Sequence, residues 1–182
     1  MTLAESITNY AGSTGREASA IDEDAFQKIY DGTARPLWAY LLRVSGRRDV
    51  ADDLLQETYC RFLARRPKGL DAPQTRSYLF RTATNLLHDR WRRGDGVLEN
   101  EIQEEQAADA HDDPAAKIDV RRAMQALKPR ARQLLWLAYV EGMSHAEIAA
   151  VTGLSALSIR LLLFRARRQA AGLLNPETME TR

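Results

Sequence analysis

The sequence predicts an all-α protein: two small helical domains joined by an acidic flexible linker. Three observations carry that expectation. Apolar residues recur at three- and four-residue spacing through most of the chain, and no stretch alternates apolar and polar residues for long. The periodicity lapses once in the interior, over 94–119, where acidic residues crowd together. Charge is also segregated along the chain, although the formal net charge is only +1. Residues 35–93 hold 13 Lys/Arg against 6 Asp/Glu, and residues 94–119 hold 9 Asp/Glu against Lys117 alone. Residues 120–172 hold 9 Lys/Arg against Glu141 and Glu147. Two basic blocks around an acidic one imply two polyanion-binding modules and a spacer that avoids or imitates the polyanion.

Residues 1–21 are small and polar and read as a disordered tail. The first domain is expected over 22–93. Phe26, Ile29, Tyr30, Leu37, Trp38, Leu41 and Leu42 follow helical spacing, broken by Pro36, which either kinks one helix or opens a second. Gly46 ends that segment. A second helix, from about Asp49 to Arg66, has an apolar stripe of Val50, Leu54, Leu55, Tyr59, Phe62 and Leu63. Asp49, Asp52, Asp53 and Glu57 crowd its start and Arg61, Arg65 and Arg66 its end, as the helix dipole favours. Pro67, Gly69 and Pro73 mark a loop. A third helix, from about Thr75 to Arg93, packs Leu79, Ala83, Leu86 and Leu87. Around them Tyr78, Arg81, Asn85, Arg90, Trp91, Arg92 and Arg93 form a basic surface with aromatics between. Arginines track phosphates while aromatics and amides hold unstacked bases, so that composition suits single-stranded nucleic acid.

After the acidic linker, the second domain is expected over 120–172, followed by a tail over 173–182. A helix from Ile118 to Leu127 halts near Pro129, and Arg130 to Glu141 forms the next. Then comes MSHAEIAAVTGLSALSIRLLLFRARRQA. Ser144 with Glu147 three residues on is a capping-box pattern. Thr152-Gly153-Leu154 makes a turn, and Ser155 caps a second, arginine-rich helix. That order is the helix-turn-helix arrangement. At about 100° per residue, Ile159, Leu163 and Ala166 share the core face of the last helix, with Leu162 at its flank. Leu157, Leu161 and Phe164 fall on the opposite face, flanked by Arg160, Arg165 and Arg168.

Several function classes are disfavoured. Cys60 is the single cysteine, so no intrachain disulfide can form and a reducing compartment is expected. The longest apolar run, Leu134 to Val140, is far short of the roughly 20 residues of a membrane span. The amino-terminal stretch lacks both the basic and the apolar region of a signal peptide. A cytoplasmic protein without membrane insertion is therefore expected. His88, His111 and His145 are scattered, with no metal-ligand spacing and no nucleophile–base pair. No catalytic residue, cofactor or metal is expected, and the protein is not read as an enzyme.

The carboxy-terminal segment LKPRARQLLWLAYVEGMSHAEIAAVTGLS resembles region 4 of bacterial sigma-70-family factors of the extracytoplasmic-function (ECF) group. DVADDLLQETYCRFL is similar to the D-L-V-Q-E-T-F segment of region 2.2, and RSYLFRTATNLLHDRWRR to the segment of regions 2.3 and 2.4. The resemblance implies a dissociable promoter-specificity subunit of RNA polymerase, with 22–93 as sigma-2 and 120–172 as sigma-4. It implies that Asp52, Asp53, Gln56 and Glu57 dock core RNA polymerase. It also implies that Tyr78, Arg81, Asn85, Arg90, Trp91, Arg92 and Arg93 meet the single-stranded −10 element of promoter DNA. The −35 element would be met by Ser155, Arg160, Leu161, Phe164, Arg165 and Arg168. The linker would thread the RNA exit channel, and an anti-sigma factor is an implied partner. Tyr78 stands where the family usually has tryptophan and Thr84 where it often has a basic residue. Leu157, Leu161 and Leu162 replace a glycine, a small polar residue and an arginine. A competing reading is a sigma-like regulator or mimic that acts by binding an anti-sigma factor, which the apolar outer face of the last helix favours.

Overall fold

The computed structural model describes residues 23–65, 67–94, 120 and 122–174. The tail expected over 1–21, nearly all of the linker expected over 94–119 and the chain beyond Leu174 lie outside the described residues. Six helices are described: α1 (Glu23–Ser45), α2 (Arg48–Arg65), α3 (Ala72–Arg93), α4 (Pro129–Tyr139), α5 (His145–Thr152) and α6 (Ala156–Leu174). A further helical stretch covers 122–126. The helices fall into two compact units, with α1 as far as Leu42, α2 and α3 in one and α4 to α6 in the other. No strand occurs among the described residues, in keeping with the all-α expectation. No single described helix is long and apolar enough to cross a membrane.

In the amino-terminal unit, Pro36 sits inside one continuous helix rather than opening a second. The hydrogen bond it cannot donate would have gone to the Gly32 carbonyl, four residues back. The core is drawn from all three helices: Leu37, Tyr40 and Leu41 from α1, Val50, Leu54, Tyr59 and Phe62 from α2, and Leu79, Phe80, Ala83 and Leu87 from α3. Two buried hydroxyl pairs join the helices, as a dry interior favours. Tyr59 meets Thr33 at 2.7 Å and Tyr40 meets Thr84 at 2.7 Å. Burial pushes the Tyr59 phenol up to about 12, against the opposing pull of the Thr33 bond. Thr84 is fully buried in this pairing, so its position belongs to the core and not to a basic outer surface.

The α3 start differs from the sequence expectation. Pro73 belongs to the first turn of the helix, which begins at Ala72 after an Asp71 cap. The Gln74 N–H donates to Asp71 Oδ1 at 2.7 Å, and the Asp71 N–H donates back to Gln74 Oε1 at 3.1 Å. Proline is tolerated there because first-turn N–H groups have no helical partner. At the other end Gly94 takes a left-handed φ of 79° and donates its N–H to the Arg90 and Trp91 carbonyls, a closure that glycine makes without Cβ strain.

The carboxy-terminal unit buries Ala123, Leu127, Leu134, Leu137, Ile148, Val151, Ile159, Leu163 and Ala166. Proline again opens a helix: Pro129 lies in the first turn of α4 rather than in the gap before it. Arg132 donates to the carbonyls of Gln125, at 2.7 Å, and Leu127, at 3.0 Å, fixing the approach to α4. Between α5 and α6 the chain bends by 101°. The last helix runs on through Leu173 and Leu174, two residues beyond the expected domain edge.

Candidate functional site

Three exposed surfaces carry the residues singled out by sequence. The first lies on α2, where Asp52, Asp53, Gln56 and Glu57 are all exposed while Leu54 and Leu55 beside them are buried. Helical spacing puts the two sets on different faces. The acidic groups are not left to solvent alone. The Trp38 indole N–H of α1 donates to Asp52 Oδ1 at 2.7 Å, and Arg48 reaches Asp52 at 4.0 Å. The Arg48 guanidinium also lies 5.9 Å from the Trp38 ring centroid. Glu57 accepts from Arg61 Nε at 2.7 Å. Trp38 was legible only as an apolar stripe residue, since its indole N–H finds its partner on another helix. Cys60 follows on α2, half-buried, its thiol pushed up by burial and then by Glu57.

The second surface lies on α3. Arg81, Asn85 and Arg92 are exposed and share one face by their spacing of four and seven residues, opposite Leu79, Ala83 and Leu87. Asp89 pairs with Arg92 on the same side. Arg93 is exposed on a flank. Arg90 departs from the set: its side chain is 22% exposed and sits 3.6 Å from Asp53. It therefore stands between the α2 and α3 surfaces instead of on the outer ridge. Trp91 is half-buried, its ring 5.2 Å from that of His88. Tyr78 is half-buried too, edge-on to Phe62 at 5.9 Å, and its buried hydroxyl has no hydrogen-bond partner. Of the seven residues, Arg81, Asn85 and Arg92 thus form a ridge, Tyr78, Trp91 and Arg93 lie on its margins, and Arg90 stands apart against Asp53.

The third surface is the helix-turn-helix of α5 and α6. The capping box is present: the Ser144 N–H donates to Glu147 Oε2 at 2.7 Å and the Glu147 N–H to Ser144 Oγ at 3.3 Å. Gly153 closes α5 at a left-handed φ of 73°, its N–H bonded to the Ala149 carbonyl. Ser155 accepts from the Ser158 N–H at 3.1 Å and so caps α6. Along α6 the faces divide as the periodicity predicts. Ile159, Leu163 and Ala166 are buried, and Leu162 is intermediate. Ser155, Arg160, Arg165 and Arg168 are exposed, and so are Leu157 (85%), Leu161 (50%) and Phe164 (52%). Arg167 turns toward the Tyr139 hydroxyl at 3.3 Å. No Asp or Glu occurs in Ala156–Leu174, so the helix offers its arginines no acidic neighbour of its own. Among the described residues no group of three His, Cys, Asp or Glu side chains is placed to hold a metal ion.

The chain matches the family model of sigma-70 region 2 over residues 29–96 and that of sigma-70 region 4 over residues 117–169. It is 30% identical over 165 residues to the RNA polymerase sigma factor CarQ of Myxococcus xanthus, covering 87% of this chain and 94% of CarQ. To the ECF RNA polymerase sigma factor SigE of Mycolicibacterium smegmatis it is 27% identical, covering 88% of this chain and 72% of SigE. In fold it is similar to the sigma factor RpoE of Bartonella quintana, solved in complex with the anti-sigma factor NepR. That likeness has a TM-score of 0.68 at 23% identity and covers 84% of this chain and 98% of RpoE. With both regions matched in order, and with CarQ followed along nearly its whole length, the chain belongs to the sigma-70 family of RNA polymerase sigma factors, in its ECF group.

Proposed function

We propose that the protein is a promoter-specificity subunit that carries core RNA polymerase to a two-part promoter. In this reading the α2 stripe of Asp52, Asp53, Gln56 and Glu57 docks the polymerase, and Trp38 holds Asp52 in place for it. The α3 ridge of Arg81, Asn85 and Arg92 tracks the single strand of the −10 element, with Tyr78, Trp91 and Arg93 on its margins and Arg90 bracing Asp53. Helix α6 enters the major groove of the −35 element, where base edges present a readable pattern. Ser155 and the N–H groups at the α6 start supply phosphate ligands, and Arg160, Arg165 and Arg168 supply positive charge. The observation that carries the reading is the retention, in one chain, of both matched regions with their polar faces exposed.

The acidic segment 94–119 separates the two DNA-contacting modules in sequence, and its charge keeps it off the DNA that they grip. Since RpoE, similar in fold, is held by an anti-sigma factor, capture of this protein by such a factor in the resting cell forms part of the proposal. The mimic reading draws on one observation, the apolar outer face of α6. Reconstitution with core RNA polymerase and transcription from a pool of promoter sequences tests both. Initiation restricted to a subset with common upstream and downstream elements is the expected result. If no promoter is used while a partner protein binds the carboxy-terminal unit, the mimic reading takes its place.

A further inference from the structure

We propose that the outward stripe of Leu157, Leu161 and Phe164 reads thymine methyl groups, so that the −35 element of this protein is distinguished largely by apolar contact. The inference rests on the placement of α6 in the −35 groove and specifies what that helix seeks there. The three side chains are spaced by four and three residues and are 85%, 50% and 52% exposed. They occupy the middle of the face that points away from Ile159, Leu163 and Ala166. None of them can donate or accept a hydrogen bond, so the centre of the face cannot pair with the amide, amino or carbonyl edges of bases. The C5-methyl of thymine is the one feature of the major-groove edge that an apolar side chain satisfies.

Charge identifies the occupant. Arg160 and Arg165 flank the stripe on opposite sides, Arg168 continues it, and all three are exposed. A helix with its side chains is about 10–12 Å across, and the major groove is about 12 Å wide. An apolar centre with cations on both edges therefore meets bases at the floor of the groove and phosphates along its two walls. Leu157 lies in the first turn, the end of a recognition helix that contacts base edges.

Holoenzyme reconstituted from the full chain and core RNA polymerase is to be selected on duplexes randomised across the upstream element. Enriched duplexes should carry thymines at two or more fixed positions. Replacing each of those thymines with deoxyuridine removes the methyl and nothing else. Each replacement should weaken binding about fourfold, the free energy of one buried methyl group. Leu161→Ser and Phe164→Ser should each abolish the difference at one position, binding the thymine and deoxyuridine duplexes alike, with helix content and melting unchanged.

Equal affinity of the unaltered protein for thymine and deoxyuridine duplexes would overturn the proposal. So would serine variants that keep the full thymine preference, or that leave DNA binding intact and lose a protein partner instead. Promoter-dependent initiation that ignores the methyl groups removes this inference alone, whereas absence of initiation from every duplex removes the proposed function with it.

Discussion

The α3 and α6 surfaces are both basic, yet they are built in opposite ways. On α3 two of the charges are tied to partners, Arg90 to Asp53 and Arg92 to Asp89, with Trp91 against His88. On α6 the helix has no acidic residue, and its three outward arginines are spread around an apolar stripe. A surface that must hold a flexible single strand gains from side chains already fixed in place, because less ordering is left for the moment of binding. A helix that enters a rigid duplex groove is positioned by the groove itself and needs only a shape that fits and charges that reach phosphate. Under the proposed function, the difference separates a surface organised before binding from one organised by its ligand.

The sharpest way to break the comparison is to test whether α6 has two independent sides. Ile159→Ala, at a fully buried position, should cost the carboxy-terminal unit about 2–5 kcal/mol of stability. Leu161→Ser should cost less than about 0.5 kcal/mol. Thermal and denaturant unfolding of both variants gives the answer, and similar losses would mean that the outer stripe is structural. On the other surface, Asp53→Ala should weaken binding to core RNA polymerase by about 1–2 kcal/mol. Its effect on stability should stay within about 1 kcal/mol, as for an exposed ion pair. Arg90→Ala removes the same pair but leaves the carboxylate, so it should retain most of the polymerase affinity. If the two variants lose affinity equally, the pair and not the Asp53 charge makes the contact.

How far the site was legible follows from where each partner lies. The two sides of α6 could be read because both depend on the 3.6-residue period of one helix. Ser144 with Glu147 and Ser155 with Ser158 were open to the same reading, being local in sequence. What could not be read was contact between helices. The Trp38–Asp52 bond spans 14 residues and the Tyr40–Thr84 bond 44, and no periodicity announces either. Hence Thr84 looked like a lost basic residue when it is a core hydroxyl, and the pairing of Arg90 with Asp53 on the neighbouring helix could not be foreseen. Pro73 misled for a different reason: proline kinks or breaks helices in their interior but begins them at the first turn, and only the Asp71 cap decides which applies.

Two smaller effects sharpen the contrast. Arg160→Ala should weaken upstream-element binding and lower the salt dependence by about one unit of slope, the loss of one phosphate contact. An unchanged slope in a salt titration would take Arg160 out of the DNA contacts. Alkylation of Cys60 should be slow at neutral pH and quicken as pH rises beyond the ordinary thiol range, because burial and Glu57 both oppose the thiolate. Fast labelling near neutrality would show that this part of α2 opens.

The separation of the α6 faces has a consequence for how promoter preference can change over time. Residues 157, 160, 161, 164, 165 and 168 point outward and Ile159, Leu163 and Ala166 inward, so the positions proposed to read DNA can vary without disturbing the residues that keep the helix seated. A lineage that duplicates such a gene can reassign one copy to new targets by a few substitutions, each nearly neutral for folding. A designer can do the same with a library confined to those outward positions. The fold thereby keeps the stability of the helix and the identity of its targets on separate hereditary accounts.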